Sequence, residues 1–229
     1  MPIPEQVQGL VQVFEERVAD FELFRDGVAR FFSTHPRVAA YVHSIKSRTK
    51  SVQSFRSKII RKWDDANPLT GENLFFRFTD LAGVRVLHLH QAQFKPIHEA
   101  IHWKVGEGDW IFAENPKAYT WDPESVKFFG SLGLEVEAKE SFYTSIHYLV
   151  RPRVDSPMCC EIQVRTLFEE IWGEVDHSMN YPNPVDNKAC KEQLLVLAKL
   201  VGAGSRLVDS IYRVLGDPAV NQHQPNQPL

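Results

Sequence analysis

Polar and apolar residues alternate most regularly over residues 159–166, and this period of two predicts a β-strand. The apolar residues point to one face, so the other face carries a polar row of Glu161, Gln163 and Arg165. An exposed edge strand would show the same alternation. The row therefore marks a candidate site only if other segments of the chain supply complementary groups.

Longer segments with apolar residues at helical spacing lie towards both ends of the chain. They predict helical structure over 5–42 and a long helix or helix pair over 188–215. Between them the patterns predict helices over 51–65, 96–105 and 123–132, strands over 84–90, 134–138, 143–151 and 159–166, and strand with loop over 110–121. The organisation is thus helix, mixed α/β, helix.

The composition is that of an ordinary globular protein, with 43% apolar and 24% charged residues in a chain of 229. A net charge of −3 means that any polyanion must be bound by a local patch. Three cysteines, two of them adjacent and none in a CxxC pair, argue against a disulfide framework or a zinc knuckle and fit a reducing compartment. We find neither a charged-then-apolar leader nor an apolar run of membrane-spanning length, so we expect a cytoplasmic protein.

A basic tract supplies one complementary group, because residues 46–62 contain seven lysines and arginines and no acid. Ser54 and Lys58 are four residues apart and share a face of the predicted helix. Arg48 and Lys50 lie just before the helix start, where backbone N–H groups also favour anions. These residues could hold a triphosphate without a glycine-rich loop. The alternative is a solvated helix with extended side chains.

Asp80 supplies an acid in the turn that enters the predicted strand over 84–90. An aspartate at such a position can simply cap the turn. A polyphosphate site, however, needs a divalent cation, and Mg²⁺ is usually held by one or two carboxylates together with phosphate oxygens. Asp80 and Glu161 are the natural pair for that ion.

A third group of polar residues lies on the predicted strand over 143–151. Tyr143, Ser145 and His147 would share one face of it, so that an aromatic ring, a hydroxyl and an imidazole stand in a row. Such a row suits a nucleotide, whose base can stack on the ring and whose phosphate or ribose can contact the histidine. Ordinary packing of a strand tyrosine is the alternative.

Five stretches agree in order and spacing with one family: RTKSVQSFRSK at 48–58, DLAGVR at 80–85, KESFYTSIH at 139–147, EIQVRT at 161–166 and WGEVDHSMNY at 172–181. Together they resemble the motifs of RelA/SpoT-type alarmone synthetase domains, including the small and toxic small forms. The resemblance implies a nucleotidyltransferase-like α/β fold with a mixed β-sheet flanked by helices. It gives a synthetase core over 43–182. The helical spacing outside that core adds an N-terminal helical extension (1–42) and a C-terminal helix or helix pair (183–216), and the polar, proline-rich composition of 217–229 predicts a disordered tail.

The resemblance also implies an enzyme that transfers pyrophosphate from ATP to a ribose 3′-hydroxyl. For the ATP half it implies that Arg48 stacks on the adenine, while Lys50, Ser54 and Lys58 bind the phosphates. Asp80 would bind Mg²⁺.

For the acceptor half, the resemblance implies that Glu161 shares the metal and orients or deprotonates the attacking hydroxyl. Tyr143 would stack on the acceptor base, and Lys139 and His147 would contact the acceptor phosphates. The remaining polar face would be completed by Gln163 and Arg165.

The chain departs from the family pattern mainly in the acceptor half. Ser141 and Phe142 stand where the family usually has Asn-Gly before the tyrosine. A second adenine-stacking arginine is expected about a dozen residues after Asp80, but residues 91–95 read QAQFK. Ser178 replaces a lysine that often follows the histidine of the last motif.

We expect a small single-domain form whose acceptor is GDP or GTP, giving (p)ppGpp. A toxin of the same family would instead modify the 3′ end of tRNA or an adenine nucleotide, and spare basic residues could hold the RNA: Lys46, Arg56, Arg61 and Lys62. An antitoxin protein and a second copy of the chain remain open as partners, whereas a membrane is not expected. A catalytically inactive nucleotide-binding module is a further alternative.

Residues 98–102 spell HExxH, the helical motif of zinc hydrolases, in which two histidines bind the metal and the glutamate acts as base. The extended form of the motif is missing, because Val105 replaces its glycine and the third histidine is absent. A core-facing apolar stripe on the same helix leaves the two histidines at its margin. We therefore expect packing here, with zinc chemistry as the alternative.

Overall fold

The computed structural model describes residues 4–139, 141–180 and 185–216. Eight α-helices lie within these residues: α1 (Pro4–Glu15), α2 (Val18–Thr34), α3 (Val52–Arg61), α4 (Leu74–Arg77), α5 (Phe94–Gly106), α6 (Pro123–Ser131), α7 (Leu167–Asn180) and α8 (Lys188–Leu215). The same residues contain seven strands: β1 (Ser44–Thr49), β2 (Ala82–His88), β3 (Ile111–Phe112), β4 (Lys117–Thr120), β5 (Glu135–Ala138), β6 (Ser145–Arg151) and β7 (Cys160–Thr166). The predicted tail over 217–229 and Tyr181 lie outside the described residues.

The strands form one mixed sheet in the order β1-β2-β7-β6-β4-β5, and β3 pairs with β6 beside β4. β2 and β7 are parallel, as are β4 and β5, whereas the other pairs are antiparallel. The fold is therefore the predicted α/β arrangement of a mixed sheet flanked by helices. The central parallel pair places β2, the strand that follows Asp80, beside β7, the strand that carries Glu161, Gln163 and Arg165.

One face of the sheet is apolar because the interior strands place a hydrophobic residue on it at every second position. These residues are at most 1% exposed: Val84, Val86, Ile146, Ile162 and Val164. Helices α1, α2, α3 and α5 add their buried residues to the same core. Burial of this face fixes which side of each strand carries polar groups, since a shift of one residue would exchange the two faces.

The N-terminal segment does not form one continuous helix over 5–42. It breaks at Glu16–Arg17 into α1 and α2, and a short 3₁₀ turn follows at Ala39–Tyr41. The break allows α1 to pack against α3 while α2 packs against β1 and β2. Phe14 and Phe21, on either side of it, both enter the core.

The C-terminal segment forms a single helix, so the alternative of a helix pair is wrong. Gly202 and Gly204 lie inside α8 at points of close packing. A Cβ built on Gly204 would lie 2.7 Å from the ring of Phe168 in α7, and one on Gly202 would lie 3.6 Å from Trp121. Gly204 therefore lets α8 approach α7 closely, whereas an added Cβ at Gly202 would make an ordinary contact with Trp121.

A second, smaller apolar cluster joins α7 to α8. It contains four buried residues, Trp172, Leu194, Ala198 and Val201. The indole nitrogen of Trp172 donates a hydrogen bond to the carbonyl oxygen of Leu194 at 3.1 Å, which fixes the crossing of the two helices. Helix α7 begins with a capping box, because Thr166 and Glu169 each accept a hydrogen bond from the other's backbone N–H.

The HExxH residues lie on α5, and the first histidine is buried there. His98 is 8% exposed, and its Nδ1 forms a 2.8 Å hydrogen bond with the hydroxyl of Tyr148. Burial lowers the pKa of His98 to about 4. Glu99 instead faces solvent, 3.9 Å from Lys95.

Over the residues described, no helix is both long and apolar enough to cross a membrane.

Candidate active site

The polar face of the sheet brings the distant motifs together through the strand register. Arg48 of β1 lies opposite Gly83 of β2, and Gly83 lies opposite Glu161 of β7. On the other side of β7, Gln163 lies opposite His147 of β6. The basic, acidic and aromatic segments of the sequence thus share one face across four strands.

At one end of this face, helix α3 presents the basic residues of the tract. The hydroxyl of Ser51 caps the helix by accepting a hydrogen bond from the backbone N–H of Ser54 at 3.2 Å. Lys50 and Lys58 both point to Asp80, with Nζ–Oδ distances of 3.3 and 2.5 Å. The sequence tract contains no acid, but the fold brings one to it from the turn before β2.

Asp80 is a partly buried carboxylate whose charge is balanced by two cations. Burial acts to raise its pKa, but the hydrogen bond and charge of Lys58 and the charge of Lys50 outweigh it and lower the pKa. The Asp80 side chain is 33% exposed, so it remains open to a further ligand.

Glu161 lies in a closed ring of five hydrogen-bonded side chains. Its two oxygens contact Nδ1 of His147 at 3.1 Å and Nε2 of Gln163 at 2.8 Å. Arg165 donates to the amide oxygen of Gln163 at 2.6 Å and to the hydroxyl of Tyr143 at 3.3 Å. The tyrosine hydroxyl, 3.1 Å from Nε2 of His147, closes the ring. Each member is thereby oriented by two others.

The pKa of the Glu161 carboxyl also depends on the charge of Asp80. Burial raises its pKa, the hydrogen bonds from His147 and Gln163 lower it, and the negative charge of Asp80 raises it; the net effect is a lowered pKa. Both carboxylates line a cleft of about 220 Å³, here called the first cleft, together with Arg48, Arg85 and others. Two carboxylates in one cleft repel each other, and a bound cation would remove that repulsion.

A second cleft of about 300 Å³ adjoins the first and shares Arg48, Arg85, Gln163 and Glu174 with it. Its other walls include Tyr143 and Arg165 from the ring of five, and further residues of α7: Gly173, Asp176, His177 and Asn180. The two clefts therefore meet at two arginines, an amide and a carboxylate.

Arg85 is a site residue that sequence reasoning missed. It lines both clefts beside Arg48, and its guanidinium is held by Glu170 and Glu174 of α7, each at 2.7 Å. The resemblance places a second arginine near residues 91–95, but that stretch forms a 3₁₀ turn and the start of α5. Arg85 follows Asp80 by only five residues, and its position between the apolar residues Val84 and Val86 of the strand was the available signal.

Lys139 lies at the far end of the polar face. Its Nζ is 2.5 Å from Oε1 of Glu137 and lies 4.4 Å from the centre of the Tyr119 ring. Tyr119 in turn packs edge-on against His147, with ring centres 4.9 Å apart. Lys139 is thus connected to the ring of five through an aromatic neighbour and carries its own counter-ion.

The loop before β6 differs from the sequence prediction. Tyr143 precedes the strand, which begins at Ser145, although its hydroxyl still reaches His147. Phe142, at the position where the resemblance expects glycine, has a φ of +63°. The backbone therefore keeps a left-handed conformation that a phenylalanine rarely adopts.

The fold and the site together define a class of α/β protein with a cationic end, two carboxylates in one cleft and an aromatic end on one sheet face. A sequence model described as "Region found in RelA / SpoT proteins" matches residues 47–186, which is more than half of the chain. The chain belongs to this family. No curated protein matches the sequence.

Solved structures show the same fold at low sequence identity. A GTP pyrophosphokinase family protein from Streptococcus pneumoniae superposes with a TM-score of 0.62 at 19% identity, covering 98% of this chain and 100% of that one. The small alarmone synthetase 1 from Bacillus subtilis gives a TM-score of 0.56 at 21% identity, with 92% and 96% covered. The same enzyme bound to its product pppGpp gives 0.54 at 21% identity, with 90% and 94% covered.

Proposed function

We propose that this chain transfers the β,γ-pyrophosphate of ATP to the 3′-hydroxyl of a guanine nucleotide, GDP or GTP, and so makes (p)ppGpp. The observation that carries the proposal is the position of Asp80 and Glu161 in one cleft, between the lysines of the basic tract and the aromatic ring of Tyr143. Membership of the RelA/SpoT family and the likeness to GTP pyrophosphokinase folds support the same reaction.

The donor would bind at the cationic end. Lys50 and Lys58 lie where they can contact the phosphates, Ser54 offers a hydroxyl near the start of α3, and Arg48 would stack on the adenine. Arg85, beside Arg48 in both clefts, would contribute a second planar cation to the base or the polyphosphate. The N-terminal end of α3 adds backbone donors that favour the anion.

Asp80 and Glu161 fit a divalent cation such as Mg²⁺, because they are hard oxygen ligands that both line the first cleft. Among the described residues no three His, Cys, Asp or Glu side chains form a ligand cluster, so phosphate oxygens and water would complete the coordination. When bound, the ion supplies charge neutralisation to the polyphosphate.

The acceptor would bind at the aromatic end with its base on Tyr143. Glu161, held ionised by its hydrogen bonds, would accept the proton of the 3′-hydroxyl as that oxygen attacks the β-phosphorus of ATP. The bond from the β-phosphorus to the oxygen bridging it to the α-phosphate then breaks, and AMP leaves. Positioning and charge neutralisation should supply most of the rate in a reaction of this kind.

An RNA acceptor has less support at Lys46. Lys46, one of the cations that could hold an RNA, already pairs with Glu170 at 2.8 Å, and Arg56 donates to Gln8 at 2.9 Å. Arg61 and Lys62 are exposed at the end of α3. Pairing with an acid neutralises Lys46 and weakens its attraction for RNA phosphates, whereas Arg56, Arg61 and Lys62 keep their charge.

An acceptor panel tests the proposal. The purified chain is incubated with Mg²⁺ and ATP labelled at the γ-phosphate, and with GDP, GTP, excess unlabelled ATP or deacylated tRNA as acceptor. We expect label on GDP or GTP. Label confined to tRNA or to an adenine nucleotide would contradict the guanine acceptor, and no labelled product with any acceptor would contradict the enzyme itself.

A further inference from the structure

The loop between β5 and β6 holds a backbone conformation that its sequence does not favour. Among the described residues, Phe142 is the non-glycine residue with a positive φ, at +63°. An L-residue resists this region because its Cβ approaches the following carbonyl oxygen. Such a conformation persists only where the surrounding structure holds it.

The ring of Phe142 is held from the C-terminal helix. It packs against Trp121 with ring centres 4.9 Å apart. Trp121 lies against Gly202 of α8, where an added Cβ would be 3.6 Å away from the indole. The next residue, Asp122, forms an ion pair with Arg206 of α8, in which Oδ1 lies 3.3 Å from Nη1. Phe142 therefore rests on a loop that α8 fixes at two points.

The residue after Phe142 faces the second cleft. Tyr143 contacts His147 and Arg165 through its hydroxyl, and its ring centre lies 6.3 Å from that of Trp172. The indole nitrogen of Trp172 in turn donates a hydrogen bond to the Leu194 carbonyl of α8. Two neighbouring residues of one loop thus reach the same helix by separate aromatic contacts.

We propose that Phe142 is a positioning residue, through which α8 holds Tyr143 in the orientation that receives the acceptor base. This inference rests on the proposed function, in which Tyr143 is the stacking platform. The donor contacts of Lys50 and Lys58 to Asp80 come from other segments, α3 and the turn before β2. Loss of the Phe142 contact should therefore impair the acceptor half alone.

Steady-state kinetics of Phe142→Gly and Phe142→Ala separate the two halves. Both variants lose the ring, so we expect KM for GDP to rise about tenfold because the competent loop conformation is less populated. The alanine variant should be the worse of the two, since glycine adopts a positive φ freely. KM for ATP should stay unchanged. Leu207→Ala is the matched control, because Leu207 lies on the outer face of α8 and is 62% exposed.

Either of two kinetic results would overturn the inference. In the first, Phe142→Gly keeps a KM for GDP within about twofold of the unmodified chain, so that the ring contributes no positioning. In the second, KM rises equally for GDP and ATP, as a general loss of structure would cause.

Hydrogen exchange tests the same contact without turnover. In Phe142→Gly, and in Gly202→Val, which displaces Trp121, we expect faster amide exchange over 141–147 and unchanged exchange over α3. Unchanged exchange over 141–147 in both variants would contradict the inference. A wild-type chain that transfers no pyrophosphate would contradict the proposed function instead, so the two failures are distinguishable.

Discussion

At the scale of single residues, the orientation of Glu161 is fixed by its neighbours on the polar face. His147 and Gln163 each form a hydrogen bond with one of its oxygens. Arg165 in turn donates a hydrogen bond to Gln163, and the Tyr143 hydroxyl is hydrogen-bonded to His147. A carboxylate held in this way is ionised and aimed before any ligand arrives. Pre-organisation of this kind is what stabilises a transition state without further reorganisation.

The lowered pKa of Glu161 gives a prediction for Gln163→Leu. The substitution removes a hydrogen bond to the charged form, so the pKa of Glu161 should rise towards its ordinary value. In the proposed reaction Glu161 acts in its ionised form, so the acid limb of the kcat/KM profile should move to higher pH. The control is Gln12→Leu, which removes an exposed hydrogen bond from Gln12 to the carboxylate of Glu16.

The same lowered pKa fixes the sign of the contribution to stability. A carboxyl whose pKa is lowered on folding stabilises the native state above its unfolded pKa and loses that contribution as the pH falls through the folded pKa. Gln163→Leu should therefore lose more of its stability at neutral pH than in acid. A pH–rate profile identical to that of the unmodified chain would contradict this role of Gln163.

Lys58 is the residue at which donor binding can be tested most directly. Lys58→Ala removes the proposed contact between the Lys58 ammonium and an ATP phosphate. Charge-assisted contacts of this kind are worth about 1.5–3 kcal/mol. We expect KM for ATP to rise by about ten- to a hundredfold, with KM for GDP little changed. The control is Lys62→Ala, because Lys62 follows the same helix and is exposed. Equal effects of the two substitutions would mean that the ion pair with Asp80 does not mark the ATP site.

At the scale of elements, the approach of α8 to α7 depends on Gly204. In Gly204→Ala the new methyl group would meet the Phe168 ring at 2.7–3.1 Å. We expect a loss of about 1–3 kcal/mol in the free energy of unfolding, as for other overpacked sites. Urea denaturation at neutral pH measures the change.

Gly27→Ala is the matched control for that experiment. Gly27 also lies inside a helix, α2, but a Cβ there meets nothing within 4 Å. Alanine should therefore raise the free energy of unfolding by about 0.5–1 kcal/mol through better helix propensity. Equal effects at both glycines would show that the packing of Phe168 on α8 is not what Gly204 provides.

The elements that the sequence predicts best are those whose burial enforces a period. The strand predicted over 159–166 is found at Cys160–Thr166, and the helix over 123–132 at Pro123–Ser131. Strand β1 was not predicted, because it is an edge strand with one strongly apolar residue, Ile45, and its pattern is set by pairing with β2. The break between α1 and α2 follows from tertiary packing, which a continuous helical spacing cannot reveal.

Contacts between distant segments were beyond the reach of the sequence pattern. Arg85 and Glu170 are separated by 85 residues, and only the parallel pairing of β2 with β7 brings α7 over the arginine. The positive φ of Phe142 was equally hidden, because it depends on Trp121 and α8. The polar rows themselves could be predicted, since alternation along each strand decides which residues share a face.

At the scale of the whole molecule, the polar face is divided into halves that different segments build. α3, β1 and the turn before β2 supply the cationic half, whereas the β5–β6 loop, α7 and α8 supply the aromatic half. The net charge of −3 does not reveal this division, in which Lys50 and Lys58 lie at Asp80. The halves meet at Arg48, Arg85 and Gln163, which line both clefts.

The central claim is that Asp80 and Glu161 act together where the halves meet, and paired isosteric substitutions test it most directly. Pyrophosphate transfer from labelled ATP is measured for Asp80→Asn, Glu161→Gln and the exposed control Glu99→Gln, with urea unfolding as a check that each chain folds. We predict at least about a hundredfold loss of kcat for the first two, and unchanged turnover for the control. Turnover of either cleft variant within about twofold of the unmodified chain would contradict the account.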